Sequence, residues 1–256
     1  MTFTGTTSSQ RAKDAYVPLN ANPGPPAYRR MGESSAEEDI PRGPGVTLGS
    51  NTSTIFRLDP KLMGFTIAKH KFVGKMFDGF DSVLEIGCMD GFGSRIIQPH
   101  VKKLCCIDFY DDHIDEAKKW SGLEHVTFHK CDFLDGPPQI HFKPERFDNR
   151  FDGILALDVL EHVDPLQEGA FLEMAVRHLL PSGVFIVGMP TLESQRFASK
   201  ANVKAHINCQ HPAQITATLK EYFANVFSFG FNDEVLHTGY EPMRHYQMNI
   251  CAGPKK

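Results

Sequence analysis

One short stretch of the sequence places two carboxylates and an imidazole close together. Asp158, Glu161 and His162 occur in the segment ALDVLEHVDP, at the end of an apolar run. Spacings of three and four residues bring side chains to one face of a helical turn. An imidazole in such a group can take a proton from a hydroxyl or an ammonium, and a neighbouring carboxylate can orient it. We therefore predict that His162 is a general base, with Asp158 or Glu161 orienting its ring.

A second cluster is rich in glycine and is typical of a loop that binds a ligand through its backbone. The segment VLEIGCMDGFGS, residues 83 to 94, contains Gly87, Gly91 and Gly93. Glycine adopts positive φ angles and lets a ligand approach the backbone closely. Asp108 follows at the end of the next apolar run, 21 positions after Gly87. In a doubly wound sheet this position faces the ribose hydroxyls of an adenosine, and a carboxylate can accept hydrogen bonds from both.

The glycine spacing distinguishes between adenosine cofactors. The dinucleotide fingerprint G-x-G-x-x-G, read from Gly87, needs a glycine where Met89 stands, so a dinucleotide-dependent oxidoreductase is not expected. The segment from Glu85 to Gly91 instead resembles the first motif of the class I S-adenosylmethionine-dependent methyltransferases, acid-x-G-x-G-x-G, with Met89 in place of the middle glycine. The resemblance covers roughly residues 60 to 252 and includes several motifs in order.

This resemblance implies S-adenosyl-L-methionine as the cofactor and a set of residues that bind it. In the family, the acid after the second strand holds the ribose, which corresponds to Asp108, and the next residue packs on the adenine, which corresponds to Phe109. An acid after the third strand meets the adenine amino group, which corresponds to Asp132. The segment FDGILALDVLEHV resembles the fourth-strand motif, whose end borders the transferable methyl group. The predicted cofactor-binding residues are Glu85, Gly87, Cys88, Met89, Gly91, Asp108, Phe109, Asp132, Phe133 and Asp158.

Two other interpretations of the Asp158 cluster stay open. With a distant histidine, either His206 or His211, the set resembles the ligands of the metal-dependent small-RNA terminal 2′-O-methyltransferases, and it would suit Mg²⁺, Mn²⁺ or Fe²⁺. Against the metal, a Glu-His pair at this position is common in methyltransferases that bind none, and Asp158 stands where the metal enzymes carry Glu. The pair can also be a structural cap. Our prediction is a site without metal, in which His162, Asp158 and His206 are catalytic.

The elements that position these residues alternate between strand and helix patterns. Asp59 and Pro60 are typical of a helix start, and apolar residues at helical spacing follow as far as Asp78. Five apolar runs separated by helical patterns then favour a buried parallel sheet. Near the end, NVFSFGF and HYQMNIC follow each other without a helix, which predicts an antiparallel pair. The predicted fold class is α/β, a Rossmann-like doubly wound sheet with a terminal antiparallel strand, in three α/β/α layers.

The chain divides into two parts by composition. Residues 1 to 54 are dominated by Ser, Thr, Pro and Gly, and they cannot bury enough apolar area to offset the entropy of ordering. We interpret them as a flexible arm, or as a lid that orders over the site when substrate binds. Residues 55 to 256 form the predicted methyltransferase domain. The contact residues of the arm would be Tyr16, Tyr28, Arg29 and Arg30.

Charge and composition restrict the partners. The chain has 27 Lys+Arg against 31 Asp+Glu, a formal charge of −4, so no global basic field favours nucleic acid. No run of about 18 apolar residues is present, and a membrane span is not expected. The six cysteines form no C-x-x-C pair, which favours a reduced, cytoplasmic protein without structural zinc. A homodimer is left open.

These observations lead to one preferred function and two alternatives. We predict S-adenosylmethionine-dependent methylation at an oxygen of a small-molecule or glycan-like polar acceptor. The alternatives are a metal-assisted RNA 2′-O-methyltransferase and a non-catalytic cofactor-binding partner subunit, which the replacement of a motif glycine by Met89 would suit. Two irregular segments would set acceptor specificity, and their polar residues are Arg196, Lys200, Lys204, His206 and His211 in the first and Asp233, Glu234 and His237 in the second.

Overall fold

The structure is a computed structural model that describes residues 46–119, 124–137 and 149–255. The described residues from Thr47 onward form one compact unit. The helices in the described residues are α1 (Ser50–Leu58), α2 (Lys61–Met76), α3 (Phe92–Ile97), α4 (Asp111–Lys119), α5 (Glu168–His178), α6 (Lys200–Ala205) and α7 (Pro212–Tyr222). The strands there are β1 (Val83–Ile86), β2 (Leu104–Asp108), β3 (Val126–Lys130), β4 (Phe151–Leu157), β5 (Leu179–Pro190), β6 (Phe223–Asn232), β7 (Val235–His237) and β8 (Tyr246–Pro254).

All of these strands belong to a single sheet with the order β3-β2-β1-β4-β5-β8-β6-β7. The first five run parallel, as the alternation of strand and helix patterns predicts. β8 inserts antiparallel between β5 and β6, and this confirms the predicted antiparallel ending. The strand order changes direction between β1 and β4, so the carboxyl ends of β1, β2 and β4 meet at one edge, where ligands bind in open α/β sheets.

Apolar side chains cover both faces of the sheet. On one face, Phe171 of α5 and Leu219 of α7 pack over the parallel strands and are fully buried. On the other face, Phe77 beside α2 and Ile114 of α4 fill the same role. The sheet is therefore the middle of three layers, which confirms the α/β/α architecture. Because both faces are covered, a central strand such as β2 is a continuous apolar run, over residues 104–107, before it ends at Asp108.

The beginning of the fold differs from the sequence expectation. The helix that was expected to start at Asp59 and Pro60 is preceded by α1, which covers part of the segment assigned to the arm. Asp59 makes the turn between the two helices, since its N–H donates to Ile55 and its carbonyl accepts from Leu62. Composition did not indicate α1 because its stabilising contacts are polar and come from distant residues. The proposed arm contacts, Tyr16, Tyr28, Arg29 and Arg30, lie outside the described residues.

The end of the chain contains one element more than expected. The turn between the last two predicted strands includes β7, which pairs antiparallel with β6. Three residues are too few for a recognisable periodicity, so the sequence pattern gave no sign of this strand. None of the helices in the described ranges has the length and apolar character to cross a membrane.

Candidate active site

A cavity of about 690 Å³ lies at the carboxyl ends of the parallel strands. The turns after β1, β2, β3 and β4 form its floor, and α1 and α2 add Thr52, Ile55, Thr66 and His70. The predicted residues that line it are Gly87, Cys88, Met89, Asp108, Phe109, Asp132, Phe133, Asp158 and His162.

The turn after β1 has a backbone that side chains rarely tolerate. Gly87 and Gly91 have φ angles of 76° and 79°, and Met89 has 47°. A Cβ atom at Gly87 would overlap the side chain of Val159, so glycine is required for the close approach of β1 and β4. Met89 thus takes the left-handed conformation at the position where the family motif has glycine, and its N–H donates to Asp108 Oδ2 at 2.8 Å.

Asp108 is buried at the end of β2 and is held by three donors. Besides Met89, the N–H of Tyr110 donates to Oδ1 at 3.1 Å and His113 Nδ1 donates to the same oxygen at 2.9 Å. A carboxylate offers about four acceptor sites. Asp108 therefore keeps acceptor capacity toward the cavity that it lines.

Aromatic and acidic groups continue the same wall. The ring of Phe109 is more than half exposed and meets Tyr110 edge-on, with a centroid distance of 5.4 Å. Asp132 caps the short 3₁₀ helix Phe133–Asp135 by accepting from Leu134 N at 3.0 Å. Phe133 is buried, and it belongs to the hydrophobic core as well as to the cavity lining.

Glu85 and Gly91 do not line the cavity. Glu85 lies buried beneath the turn, where Ser94 Oγ donates to it at 2.5 Å. Burial raises the pKa of Glu85 to about 7 and lowers the pKa of the neighbouring His70 to about 4. Although His70 Nε2 lies 3.8 Å from the carboxylate, these opposite shifts favour the neutral forms, so the contact is not an ion pair near neutral pH.

The cavity fits an adenosine-bearing cofactor. The turn at Gly87 lines it, Asp108 keeps a free acceptor site, and apolar surface from Phe109 and Ile86 adjoins them. Cys88 also faces the cavity, and burial raises its pKa well above the usual range, so the thiol is neutral. These features suit such a cofactor, because Asp108 can accept from a ribose hydroxyl and the apolar surface can contact the adenine. The neutral Cys88 adds no charge to the cavity wall.

Asp158 sits at the end of β4 in a left-handed conformation with φ of 57°. Its backbone N–H donates to Gly188, and its carboxylate contacts the buried ammonium of Lys69 on α2. The side chain of Asp158 is still 43% exposed toward the cavity. Asp158 thus joins the floor of the site to α2, and Glu161 and His162 follow it in the short 3₁₀ helix Leu160–His162.

Glu161, His162 and His206 come together beyond Asp158. One ligand-capable atom from each lies within 4.8 Å of the others, and the two imidazole rings meet edge-on at 5.0 Å. Among the two candidates for the distant histidine, the structure selects His206. His211 instead pairs with Glu193 at 2.7 Å.

Hydrogen bonds fix the tautomers of both imidazoles. His162 Nδ1 donates to the carbonyl of Ala205 at 3.1 Å, and His206 Nδ1 donates to Gln195 Oε1 at 3.0 Å. In the neutral rings, Nε2 is therefore the unprotonated acceptor. Burial, followed by the proximity of His162, lowers the pKa of His206, which keeps it neutral.

Glu161 is the most unusual group of the site. Its side chain is 1% exposed, and neither carboxylate oxygen has a hydrogen-bond partner among the described residues. Burial, with a smaller contribution from Asp158, raises the pKa of Glu161 well above its ordinary value. A buried carboxyl group without partners destabilises the fold unless it is protonated or faces a cation.

Some residues of the candidate site were not predicted. Lys69, His113, Thr52, Asp164 and Gln167 hold or line the site. Lys69 could have been found, because it occupies an inward position of an otherwise apolar helix face. The two expected specificity segments contribute little to the lining, since it includes Ala205 but none of Arg196, Lys200, Lys204, His206, His211, Asp233, Glu234 and His237.

Comparisons with known proteins agree with this geometry. Residues 84–185 match the family model described as a methyltransferase domain. No curated protein matches the chain significantly.

Several solved structures share the fold. A complex of DhpI with SAH has a TM-score of 0.58 at 19% identity, over 80% of this chain and 92% of that chain. The N-methyltransferase NodS from Bradyrhizobium japonicum WM9 has a TM-score of 0.51 at 18% identity, over 77% and 99%. The methyltransferase domain of bacterial CtHen1 has a TM-score of 0.57 at 16% identity, over 75% and 98%. At such identities the similarity establishes the fold.

Proposed function

The chain carries a class I S-adenosylmethionine-dependent methyltransferase domain, and on that premise we propose that it methylates a hydroxyl oxygen of a small polar or glycan-like acceptor. The observation that carries this proposal is the state of His162. The imidazole lines the cavity, and its Nδ1 is fixed as a donor, so Nε2 is available to accept a proton. A hydroxyl must lose its proton as it gains a methyl group, and a base at this place serves that need.

The roles of the residues follow from their positions along the cavity. When bound, the cofactor supplies a sulfonium methyl group for in-line displacement, in which the C–S electron pair returns to sulfur. Asp108 and the Gly87 turn would hold the adenosine end, and Asp158 borders the methyl end. His162 Nε2 takes the acceptor proton, and Ala205 keeps the ring oriented. Alignment of the acceptor at near-attack distance contributes the rest.

The polar acceptor is supported by the lining near His162. Asp164 and Gln167 follow the 3₁₀ helix and line the cavity with exposed polar groups that suit hydroxyl hydrogen bonds. The formal charge of −4 does not favour a polyanion.

The test is a methylation assay with mono- and oligosaccharide acceptors, read as release of S-adenosylhomocysteine. We expect His162→Asn to lower kcat by about 10²–10⁴-fold and to leave the Kd for S-adenosylhomocysteine unchanged. His125→Asn is the matched control, since this histidine lies outside the cavity lining. Unchanged kcat in His162→Asn would contradict the role of the base.

A second candidate is favoured by the unpartnered carboxyl group of Glu161. Glu161, His162 and His206 offer one carboxylate and two imidazoles, a donor set that suits Mn²⁺ or Fe²⁺. Both histidines donate a hydrogen bond from Nδ1, and metal-binding imidazoles typically make such a bond with the nitrogen that does not bind the metal. A cation there would bring the acceptor oxygen into the site and would suit the RNA alternative.

Titration with Mn²⁺ separates the two candidates. The metal hypothesis expects one Mn²⁺ per chain, loss of binding in His206→Asn, and loss of turnover in chelator that added Mn²⁺ restores. Full turnover in chelator, together with no calorimetric signal for Mn²⁺, would eliminate the metal and leave the base. Turnover that requires RNA would show that the acceptor is RNA and not a glycan-like molecule.

A further inference from the structure

The first turn of α1 is capped by two carboxylates that belong to other elements. The N–H and Oγ of Ser50 donate to Glu116 Oε2 of α4 at 2.7 and 2.9 Å. The N–H and Oγ1 of Thr52 donate to the two oxygens of Asp90 at 2.7 Å each. The first N–H groups of a helix have no partner within the helix. Since the capping residue Gly49 has no side chain, distant carboxylates take its place.

The contact between α1 and Asp90 is close and shielded from solvent. Asp90 is 1% exposed and Thr52 is 4% exposed. A Cβ atom at Gly49 would overlap the Asp90 side chain, so the backbone of the α1 entry lies directly on it. Negative charge at a helix N-terminus is stabilising, and burial reduces the screening of that attraction.

Asp90 belongs to the turn that forms the cofactor side of the cavity. It directly follows Met89, whose N–H donates to Asp108. Thr52 and Ile55 of α1 line the same cavity, and Thr52 adjoins that turn through Asp90. Two adjacent residues of the turn therefore contact both parts of the wall: Met89 contacts Asp108, and Asp90 contacts α1.

We propose that Asp90 and Glu116 are positioning residues that hold α1 in place as a wall of the cofactor cavity, so that α1 slows cofactor dissociation. Glu116 does not line the cavity and acts only through Ser50. Asp90 itself lines the cavity and holds α1 through Thr52. The effect concerns cofactor binding and is independent of which acceptor is methylated.

Variants at Glu116 and Thr52 test this proposal in the full chain. Replacement of Asp90 would also disturb the turn, so it is not the variant of choice. We expect Glu116→Gln and Thr52→Val each to raise the Kd for S-adenosylhomocysteine by about three- to tenfold, the loss of one or two hydrogen bonds. The increase appears in the KM for S-adenosylmethionine, with little change in kcat. Thr52→Ser, which keeps the hydroxyl, restores the affinity.

Hydrogen exchange supplies a second readout. The amides of residues 50–58 should exchange faster in Glu116→Gln, and S-adenosylhomocysteine should protect them in the parent protein. Asp115→Asn is the matched control, because Asp115 is exposed on the same helix. Faster exchange with an unchanged Kd would overturn the proposal, since α1 would then move without affecting the cofactor. Unchanged amide exchange of residues 50–58 in both Glu116→Gln and Thr52→Val would overturn it as well.

Discussion

The ammonium group of Lys69 contacts the carboxylate of Asp158 and lies 4.5 Å from the ring centroids of Phe65 and Tyr246. Its side chain is 4% exposed, whereas that of Asp158 is 43% exposed. A cation between two aromatic faces is attracted by both rings. Lys69 therefore fixes the strand end at which the left-handed Asp158 lines the cavity.

Lys69→Met should separate the packing of this side chain from its charge. Methionine fills the space between the rings, and water can solvate the half-exposed Asp158, so we expect a loss of only about 1–2 kcal/mol of unfolding free energy. Turnover should fall at least about tenfold, because Asp158 loses the contact that positions it. Denaturant unfolding and steady-state kinetics measure the two effects. Lys69→Arg should retain turnover, and the exposed Lys71→Met serves as control; normal kinetics in Lys69→Met would contradict the assigned role.

The fold was largely predictable because its signal is local. Buried parallel strands are continuous apolar runs, and Leu104–Asp108 is buried along its whole length. The antiparallel ending follows from the missing helix between two strands. α1 was not predictable, since the carboxylates that cap Ser50 and Thr52 lie 66 and 38 positions away.

The site was predictable where it depends on strand ends. Asp108, Asp132 and Asp158 each follow a recognisable apolar run, and the topology brings them to one cavity. The sequence did not show which of His206 and His211 lies beside His162, because α5, β5 and an irregular segment separate both from His162. The inward position of Lys69 could be recognised in the sequence, but its partner Asp158 could not, since it lies 89 positions away.

Glu85 should make stability depend on pH in a defined window. The folded state keeps its proton up to a pKa of about 7, whereas the unfolded chain loses it near 4.5. Unfolding free energy therefore falls as the pH rises from 4.5 to 7. His70 acts in the opposite sense, because its pKa changes from 6.5 in the unfolded chain to about 4 in the fold, so stability rises between these values. The two contributions largely cancel in the parent protein.

Glu85→Gln removes one contribution and should reveal the other. The neutral amide replaces the protonated acid, so the stability of Glu85→Gln relative to the parent should increase between pH 5 and pH 8. At 1.36 kcal/mol per pKa unit, the relative gain is about 2–4 kcal/mol. Denaturant unfolding at four pH values measures it. A constant difference across this range would show that Glu85 is ionised throughout.

Gly93 should not tolerate a larger residue while His70 is present. A Cβ atom at Gly93 would overlap the imidazole of His70, which packs against the start of α3. We expect Gly93→Ala to cost about 1–3 kcal/mol of unfolding free energy and to weaken cofactor binding, because both residues line the cavity. His70→Ala should relieve part of the cost in the double variant. Gly169→Ala is the control, since its Cβ would meet only the Tyr222 hydroxyl at 3.2 Å; additive effects at Gly93 and His70 would contradict the overlap.

His113 should affect cofactor affinity through Asp108. Its Nδ1 donates to Asp108 Oδ1 at 2.9 Å and fixes the carboxylate that we expect to hold the ribose. His113→Phe removes this donor and keeps a ring beside Tyr110, with which the imidazole is in edge contact at 5.1 Å. We expect the Kd for S-adenosylhomocysteine to rise by about three- to tenfold, as for the loss of one hydrogen bond to a charged group.

A ribose analogue distinguishes this effect from general damage near His113. The parent should bind the 2′-deoxy analogue of S-adenosylhomocysteine about tenfold more weakly than S-adenosylhomocysteine itself, the worth of one hydrogen bond to a carboxylate. In His113→Phe this ratio should shrink, because the carboxylate is no longer oriented toward the hydroxyl. Asp112→Asn, an exposed neighbour on α4, should keep the parent's ratio. An identical ratio in His113→Phe and the parent would mean that His113 does not act through the ribose contact.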